Sequence, residues 1–143
     1  MKNIIFILLI NCFSLTVISC GTKSNTSDSA SAESLTYSDN GTKFTVTVSS
    51  SKYYIDGILT NSLTLKKGYT YFFDSTDSTT NNHPLFIGTT SSGGSYTYEY
   101  TSGVTNSRTT NETLTFVVQS ESPSKLYYNC GNHVSMGGSI TIN

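Results

Sequence analysis

The chain has few charged residues, few histidines and few cysteines. Charged residues make up only 12% of its 143 residues, with eight basic against nine acidic. No basic patch stands out, so no nucleic-acid partner is predicted. The acidic residues are few and unpaired in sequence, which leaves a two-carboxylate glycosidase without a signature. No helical period and no internal repeat occurs, so neither a helix bundle nor a repeat array is expected.

Short segments of alternating apolar and polar residues, or of aromatic and β-branched residues, dominate the chain beyond residue 42. Turn dipeptides such as Asp56-Gly57 and Lys67-Gly68 separate these segments. The predicted strands are 43–49, 52–55, 62–66, 69–73, 84–87, 113–118, 125–130 and 139–142. About seven or eight short strands with turn signals between them predict an all-β sandwich.

One polar excursion, residues 89–112, interrupts this regular pattern. Within it Tyr96, Tyr98 and Tyr100 alternate with polar residues, which predicts a short strand with a tyrosine face. We interpret these tyrosines as structural packing. A docking or surface-binding role is the alternative.

The N-terminal residues have the composition of a processing signal. Lys2 is followed by a mostly apolar run that is short for a membrane span, so residues 1–19 are predicted to be a signal peptide. Val17-Ile18-Ser19-Cys20 resembles the lipobox of bacterial lipoproteins. This resemblance implies that Cys20 becomes the N-terminus and carries acyl chains that anchor it to a membrane. An uncleaved helix or a freely secreted chain is the alternative.

Residues 20–40 are rich in Ser, Thr and Ala and contain almost no large apolar side chain, which predicts a flexible tether. Residues 41–143 then form the folded domain. The lipobox resemblance implies a site outside the cytoplasm of a bacterium, either at the outer membrane and periplasm or at the cell surface.

The potential soft metal ligands of the chain are concentrated in one place. The chain has two His, three Cys and two Met. Met1 is the initiator, and Cys12 and Cys20 belong to the N-terminal segment. The remaining soft side chains are His83, Cys130, His133 and Met136. The alternative is that the sulfur-containing residues are core fillers and the histidines are surface residues.

The last three of these residues are spaced by three, so in a tight loop their side chains can point at one spot. A thiolate, imidazoles and a thioether suit copper better than calcium or magnesium. Zinc is the competing metal, although it rarely recruits a thioether. Cys130 is not expected to form a disulfide, because no partner cysteine remains in the domain.

The pattern Cys130-x-x-His133-x-x-Met136, with His83 upstream, resembles the type 1 site of the small blue copper proteins, the cupredoxins. The loop spacing matches the short ligand loop of the amicyanin type, and the resemblance covers residues 43–143. It implies a Greek-key β-sandwich with one copper ion. It also implies two imidazoles and a thiolate as ligands, with a weak axial thioether. We expect His133 to be the ligand nearest solvent.

Two residues depart from the cupredoxin pattern. Pro84 stands where many members carry Asn after the upstream His, and Asn129 stands where many carry an aromatic residue before the ligand Cys. Both neighbours are expected to affect the tuning of the site.

The resemblance implies a monomeric protein, not an enzyme, that carries single electrons between redox partner proteins. Both histidines are assigned to the metal, so a serine-type triad would lack its base. The extra His pairs of a multicopper oxidase are also absent. One alternative is a lipoprotein that captures or delivers copper. Another is a surface module on a cupredoxin scaffold without redox activity.

Overall fold

The computed structural model describes residues 38–143, with side chains from residue 41 onwards, and this part is almost entirely β-structure. Its elements are β1 (Ser38–Ser49), β2 (Lys52–Ile55), β3 (Ile58–Leu59), β4 (Leu63–Leu65), β5 (Tyr69–Asp74), a 3₁₀ helix (Ser78–Thr80), β6 (Leu85–Gly88), β7 (Val104–Thr105), β8 (Thr113–Val117), β9 (Lys125–Cys130) and β10 (Gly137–Ile142). The predicted all-β class is confirmed. The described part has ten strands rather than seven or eight, because β3 and β7 are too short to leave a sequence pattern.

The N-terminal predictions fall outside this part of the chain. The signal peptide at 1–19, the lipidated Cys20 and the tether up to residue 37 are not among the described residues. Between residues 38 and 143, no helix is both long enough and apolar enough to cross a membrane.

The strands form two mixed sheets. The first sheet has the order β3-β2-β1-β5-β8-β7, and the second has the order β4-β10-β9-β6. β1 pairs with β5, and β10 with β4, in parallel, while the other pairings are antiparallel. From β3 to β6 each connection crosses to the other sheet. Residues that are distant in sequence therefore become neighbours in the sandwich.

The inner faces of the two sheets meet in one hydrophobic core. Side chains alternate along each strand, so Leu114 and Phe116 of β8 point inward together, as do Leu126 and Tyr128 of β9. Cys130 continues the inward series of β9 and is completely buried. The last residue of this strand therefore carries its thiol at the edge of the core.

Part of residues 89–112, which we call the cover segment, lies on the outer face of the second sheet, while β7 within the same segment pairs with β8 of the first sheet. Phe86 and Asn129 pair across β6 and β9 and point away from the core cluster, yet both are buried. The Phe86 ring packs edge-on against Tyr96 with 5.1 Å between centroids. The Asn129 side-chain nitrogen donates a hydrogen bond to the Thr90 carbonyl at 2.9 Å. The residues of the cover segment around Thr90 and Tyr96 thus lie as a third layer on the sheet that carries Cys130.

The predicted strand at Tyr96–Tyr100 is wrong. Glu99 makes only an isolated bridge to Gly88, and its N–H donates to the Tyr96 carbonyl in a turn at 3.1 Å. The three tyrosines do not share a face: Tyr96 packs on the second sheet, Tyr100 packs against the core, and Tyr98 is 53% exposed. Ring packing on two different surfaces overrides the period-two pattern.

Candidate metal centre

Three of the four predicted ligands lie together where β9 ends and β6 begins. The donor atoms of His83, Cys130 and His133 all lie within 4.8 Å of one another. Cys130 Sγ is 3.4 Å from His133 Nδ1 and 3.8 Å from His83 Nδ1. The two imidazole rings are 4.7 Å apart between centroids. One thiol and two imidazole nitrogens therefore face a common point.

The spacing of these donors fits a soft transition metal. Metal–sulfur bonds of about 2.3 Å and metal–nitrogen bonds of about 2.0 Å, at angles of roughly 110–120°, separate sulfur and nitrogen by about 3.5–3.7 Å. The observed 3.4 and 3.8 Å bracket this range. Within residues 38–143 the cluster includes no carboxylate. The donor set therefore suits copper or zinc rather than calcium or magnesium.

The short loop after β9 brings Cys130 and His133 together. β10 begins at Gly137, so the loop spans residues 131–136, and the prediction that it extends to residue 138 is wrong. The two last predicted loop residues instead pair with β9. The Cys130 N–H donates to the Met136 carbonyl at 2.8 Å, which closes the loop. The Cys130 thiol is free and buried.

Met136 lies at the end of this loop, with its side chain buried in the core cluster that also contains Cys130. Its backbone is fixed by the hydrogen bond from the Cys130 N–H. The thioether of Met136 is therefore buried inside the domain, and its role as the fourth ligand stays a prediction.

His83 is held by a structured turn that lies between the predicted strands 69–73 and 84–87 and that the sequence analysis did not predict. Asp77 caps the 3₁₀ helix by accepting the Thr79 N–H at 2.9 Å. The His83 N–H then donates to the Thr80 carbonyl at 2.7 Å. Thr80 is buried, with its hydroxyl 2.7 Å from the Ser75 carbonyl oxygen. The sequence Asp-Ser-Thr-Thr at residues 77–80 is typical of an N-cap and is the signal that could have indicated this turn.

Tyr53 supports His83 from the opposite sheet. Its hydroxyl donates a hydrogen bond to the His83 carbonyl at 2.7 Å, and its ring is buried in the core. Burial raises the pKa of Tyr53 far above its usual value, and the neighbouring Cys130 raises it further. The phenol therefore stays protonated and keeps its role as a donor. No motif links β2 to the site, so sequence reasoning missed this residue.

The loops that carry the two histidines are joined directly. The Asn132 side-chain nitrogen donates to the Asn82 carbonyl at 3.0 Å, and the Gly131 N–H donates to the Pro84 carbonyl at 2.8 Å. Pro84 precedes β6 and offers no N–H of its own. Each histidine is thus fixed relative to the other by its neighbours in sequence.

The histidines lie at the boundary between the core and solvent. Both are half-buried, so exposure does not single out His133 as the ligand nearest solvent. Burial lowers the pKa of His83, and the neighbouring His133 lowers it further. Val134, next to His133, is 75% exposed. An apolar side chain therefore projects into solvent beside one candidate ligand.

Comparison with known proteins yields likenesses of structure only. No protein-family model matches the chain, and no curated protein matches it. Six solved chains match. A copper protein, rusticyanin, has a TM-score of 0.46 and 15% identity over 76% of this chain and 81% of its own. Rusticyanin from Thiobacillus ferrooxidans has a TM-score of 0.44 and 15% identity over 76% and 80%. At TM-scores below 0.5 the likeness is weak, so the assignment of the site depends on the chain's own residues.

Proposed function

We propose that the chain is a type 1 copper protein that carries single electrons and is not an enzyme. The observation that supports this proposal is the buried thiol of Cys130 between Nδ1 of His133, at 3.4 Å, and Nδ1 of His83, at 3.8 Å. Copper bound by this set, with Met136 as a weak fourth ligand, would supply a one-electron couple.

The chain's own contribution is to hold the donors still. His83 is fixed by Thr80 and Tyr53, while the other donors lie on a strand end and a loop of six residues. Donors that are held in place from several directions have little freedom to rearrange, and a small rearrangement favours fast electron exchange. The half-buried imidazole of His133, beside exposed Val134, is the proposed point of contact with redox partner proteins.

The first test is a visible absorption spectrum of the purified chain. Metal is removed, one equivalent of Cu(II) is added, and a reductant and then an oxidant follow. We expect an intense thiolate-to-copper band that bleaches and returns. Cys130→Ser should abolish the band, because the thiolate is its donor. Met136→Leu should keep the band, because a weak axial ligand does not supply it. A chain that shows no such band after Cu(II) is added would exclude the electron carrier.

Copper delivery is the second candidate, and the half-exposure of both imidazoles favours it, because an acceptor protein can approach them. The two functions differ in how readily Cu(I) leaves. Slow transfer to a Cu(I) chelator, together with reversible bleaching of the band, supports electron transfer. Transfer of Cu(I) to the chelator that is complete within the mixing time of the experiment supports copper delivery. A chain without bound metal would instead support the surface-module alternative.

We further propose that Cys20 anchors the chain to a bacterial membrane outside the cytoplasm. The lipobox-like residues 17–20 support this proposal. In a bacterial host that is fed an alkyne fatty acid, the chain should take up the label and separate with membranes. Cys20→Ser should remain unlabelled, and equal labelling of the two chains would contradict the anchor.

A further inference from the structure

The cover segment touches the backbone of the candidate ligands. The Gly94 N–H donates a hydrogen bond to the Cys130 carbonyl at 2.9 Å. At Gly93 a Cβ atom would overlap with the carbonyl oxygens of both Cys130 and His133, so only glycine permits this approach. The segment therefore packs directly on the residues that carry two of the three donors.

Tyr96 is the side chain through which the cover segment contacts the ligand loop. Its ring lies against Gly131, where a Cβ atom would overlap with the phenol. The ring also packs edge-on against Phe86, with 5.1 Å between centroids and 68° between planes. The Arg108 guanidinium lies over the ring, 4.3 Å from its centroid. Tyr96 is thus enclosed between the second sheet, the residue after Cys130, and a cation.

The cation is itself held by a nearly buried carboxylate. Arg108 donates from Nε and Nη2 to Glu99 Oε2 at 3.0 and 2.5 Å. The Ser107 hydroxyl donates to the other carboxylate oxygen at 2.6 Å. The Glu99 side chain is 7% exposed, whereas that of Arg108 is 55% exposed. Removing the arginine would leave a mostly buried carboxylate without its charged partner, which is unfavourable.

We propose that Tyr96 is a positioning residue for the metal ligands and that the Arg108–Glu99 pair holds it against the ligand loop. As a statement about metal ligands, this inference rests on the proposed copper site. Its structural content is that Tyr96 keeps the residue after Cys130 pressed onto the sheet and thereby keeps the thiol closed to solvent. Loosening Tyr96 should free the loop without disturbing the core of the sandwich.

The test measures how fast the Cys130 thiol reacts in the metal-free full chain. Iodoacetamide is the probe, and peptide mass spectrometry separates labelling at Cys130 from labelling at Cys12 and Cys20. In Arg108→Gln the rate at Cys130 should rise roughly tenfold or more, because local opening of the loop becomes easier. Lys43→Gln is the matched control, since it breaks an ion pair of 2.7 Å to Asp74 in the first sheet. This control should leave the rate unchanged.

Variants of Tyr96 separate ring packing from the hydroxyl. Tyr96→Phe keeps the ring and should react at the wild-type rate, whereas Tyr96→Leu should resemble Arg108→Gln. If Tyr96→Leu fails to fold, Glu99→Gln tests the same contacts, because it removes the carboxylate that holds Arg108 over the Tyr96 ring. After copper is added, Arg108→Gln should shift the thiolate-to-copper band and the redox potential, and Lys43→Gln should shift neither.

Equal labelling of Cys130 in Arg108→Gln and Lys43→Gln would overturn the positioning role. Because labelling needs no metal, this result is independent of the spectrum. A wild-type chain that shows no thiolate-to-copper band would exclude the proposed function. The labelling rates would still decide whether Tyr96 holds the loop.

Discussion

The two faces of the second sheet are covered in different ways. On the inner face Leu126, Tyr128 and Ile140 contribute to one apolar core. On the outer face Phe86 and Asn129 are just as buried, but beneath a polar segment. Apolar burial is non-directional and grows with area, whereas hydrogen bonds and ion pairs fix particular atoms. The inner face therefore governs whether the chain folds, and the outer face governs how closely the ligand loop is held.

Cys130 lies where these two modes of stabilisation meet. Its side chain belongs to the core cluster, while its carbonyl accepts the N–H of Gly94 in the cover segment. A change on the inner face should therefore alter the free energy of unfolding more than the properties of the site. A change on the outer face should do the reverse.

The largest expected effect follows from truncating a buried side chain on the inner face of the second sheet. Leu126→Ala removes a completely buried side chain and should lower the free energy of unfolding by about 2–5 kcal/mol. Denaturant unfolding of the metal-free chain measures this loss. The fraction that remains folded should keep the wild-type thiolate-to-copper band. A shifted band with little loss of stability would contradict the division of roles between the faces.

The inner face was largely predictable from the sequence, and the outer face was not. The strand at 125–130 is correctly predicted, and its residues Leu126, Tyr128 and Cys130 point into the core with the period of two that a strand imposes. On the outer face, Tyr96 belongs to a similar alternation, but the chain turns there. Its contact with Gly131 joins two segments through the crossing connections of the sandwich, which a local pattern does not encode.

The candidate site also has a part that the sequence predicts and a part that it does not. The spacing of Cys130 and His133 brings two donors into one loop, and His83 is the only other histidine. Their closeness in the structure agrees with that prediction of proximity. The residues that hold His83 are not predicted from the sequence. Thr80 accepts the His83 N–H from a capped 3₁₀ helix, and Tyr53 donates to the His83 carbonyl from a strand of the first sheet.

A medium effect is expected from a single hydrogen bond that reaches the site across the core. Tyr53→Phe keeps the buried ring but removes the donor to the His83 carbonyl, and should cost about 0.5–1.5 kcal/mol of the free energy of unfolding. Cu(I) should also pass to a chelator faster, because His83 is held less firmly. Chemical denaturation and chelator kinetics measure the two effects.

Tyr54→Phe is the matched control for this change. Tyr54 is the next residue of β2, and within residues 41–143 its hydroxyl has no hydrogen-bond partner. Tyr54→Phe should leave both the free energy of unfolding and the rate of Cu(I) transfer to the chelator unchanged. If the two variants release Cu(I) at the same rate, Tyr53 contributes to the core and not to the site.

The smallest expected effect distinguishes the ion pair between Lys43 and Asp74 in the first sheet from the ion pair between Arg108 and Glu99 in the cover segment. Hydrogen bonds from Lys43 and Thr76 lower the pKa of Asp74 to about 2. Because this pKa lies below that of the unfolded chain, the stabilisation is complete above about pH 5 and is lost as the pH falls through 4 towards 2. Lys43 is 61% exposed, so the pair should contribute less than about 1 kcal/mol.

Asp74→Asn removes this contribution, so its denaturation midpoint should fall below that of the wild type at pH 7 and approach it near pH 2.5. At pH 7 the Cys130 labelling rate of Asp74→Asn should equal that of the wild type, because the first-sheet pair does not touch the ligand loop. Glu99→Gln, which breaks the pair under Tyr96, should raise the labelling rate at pH 7. If Asp74→Asn raised that rate as much as Glu99→Gln, surface ion pairs in general would stabilise the loop, and the outer face would lose its special role.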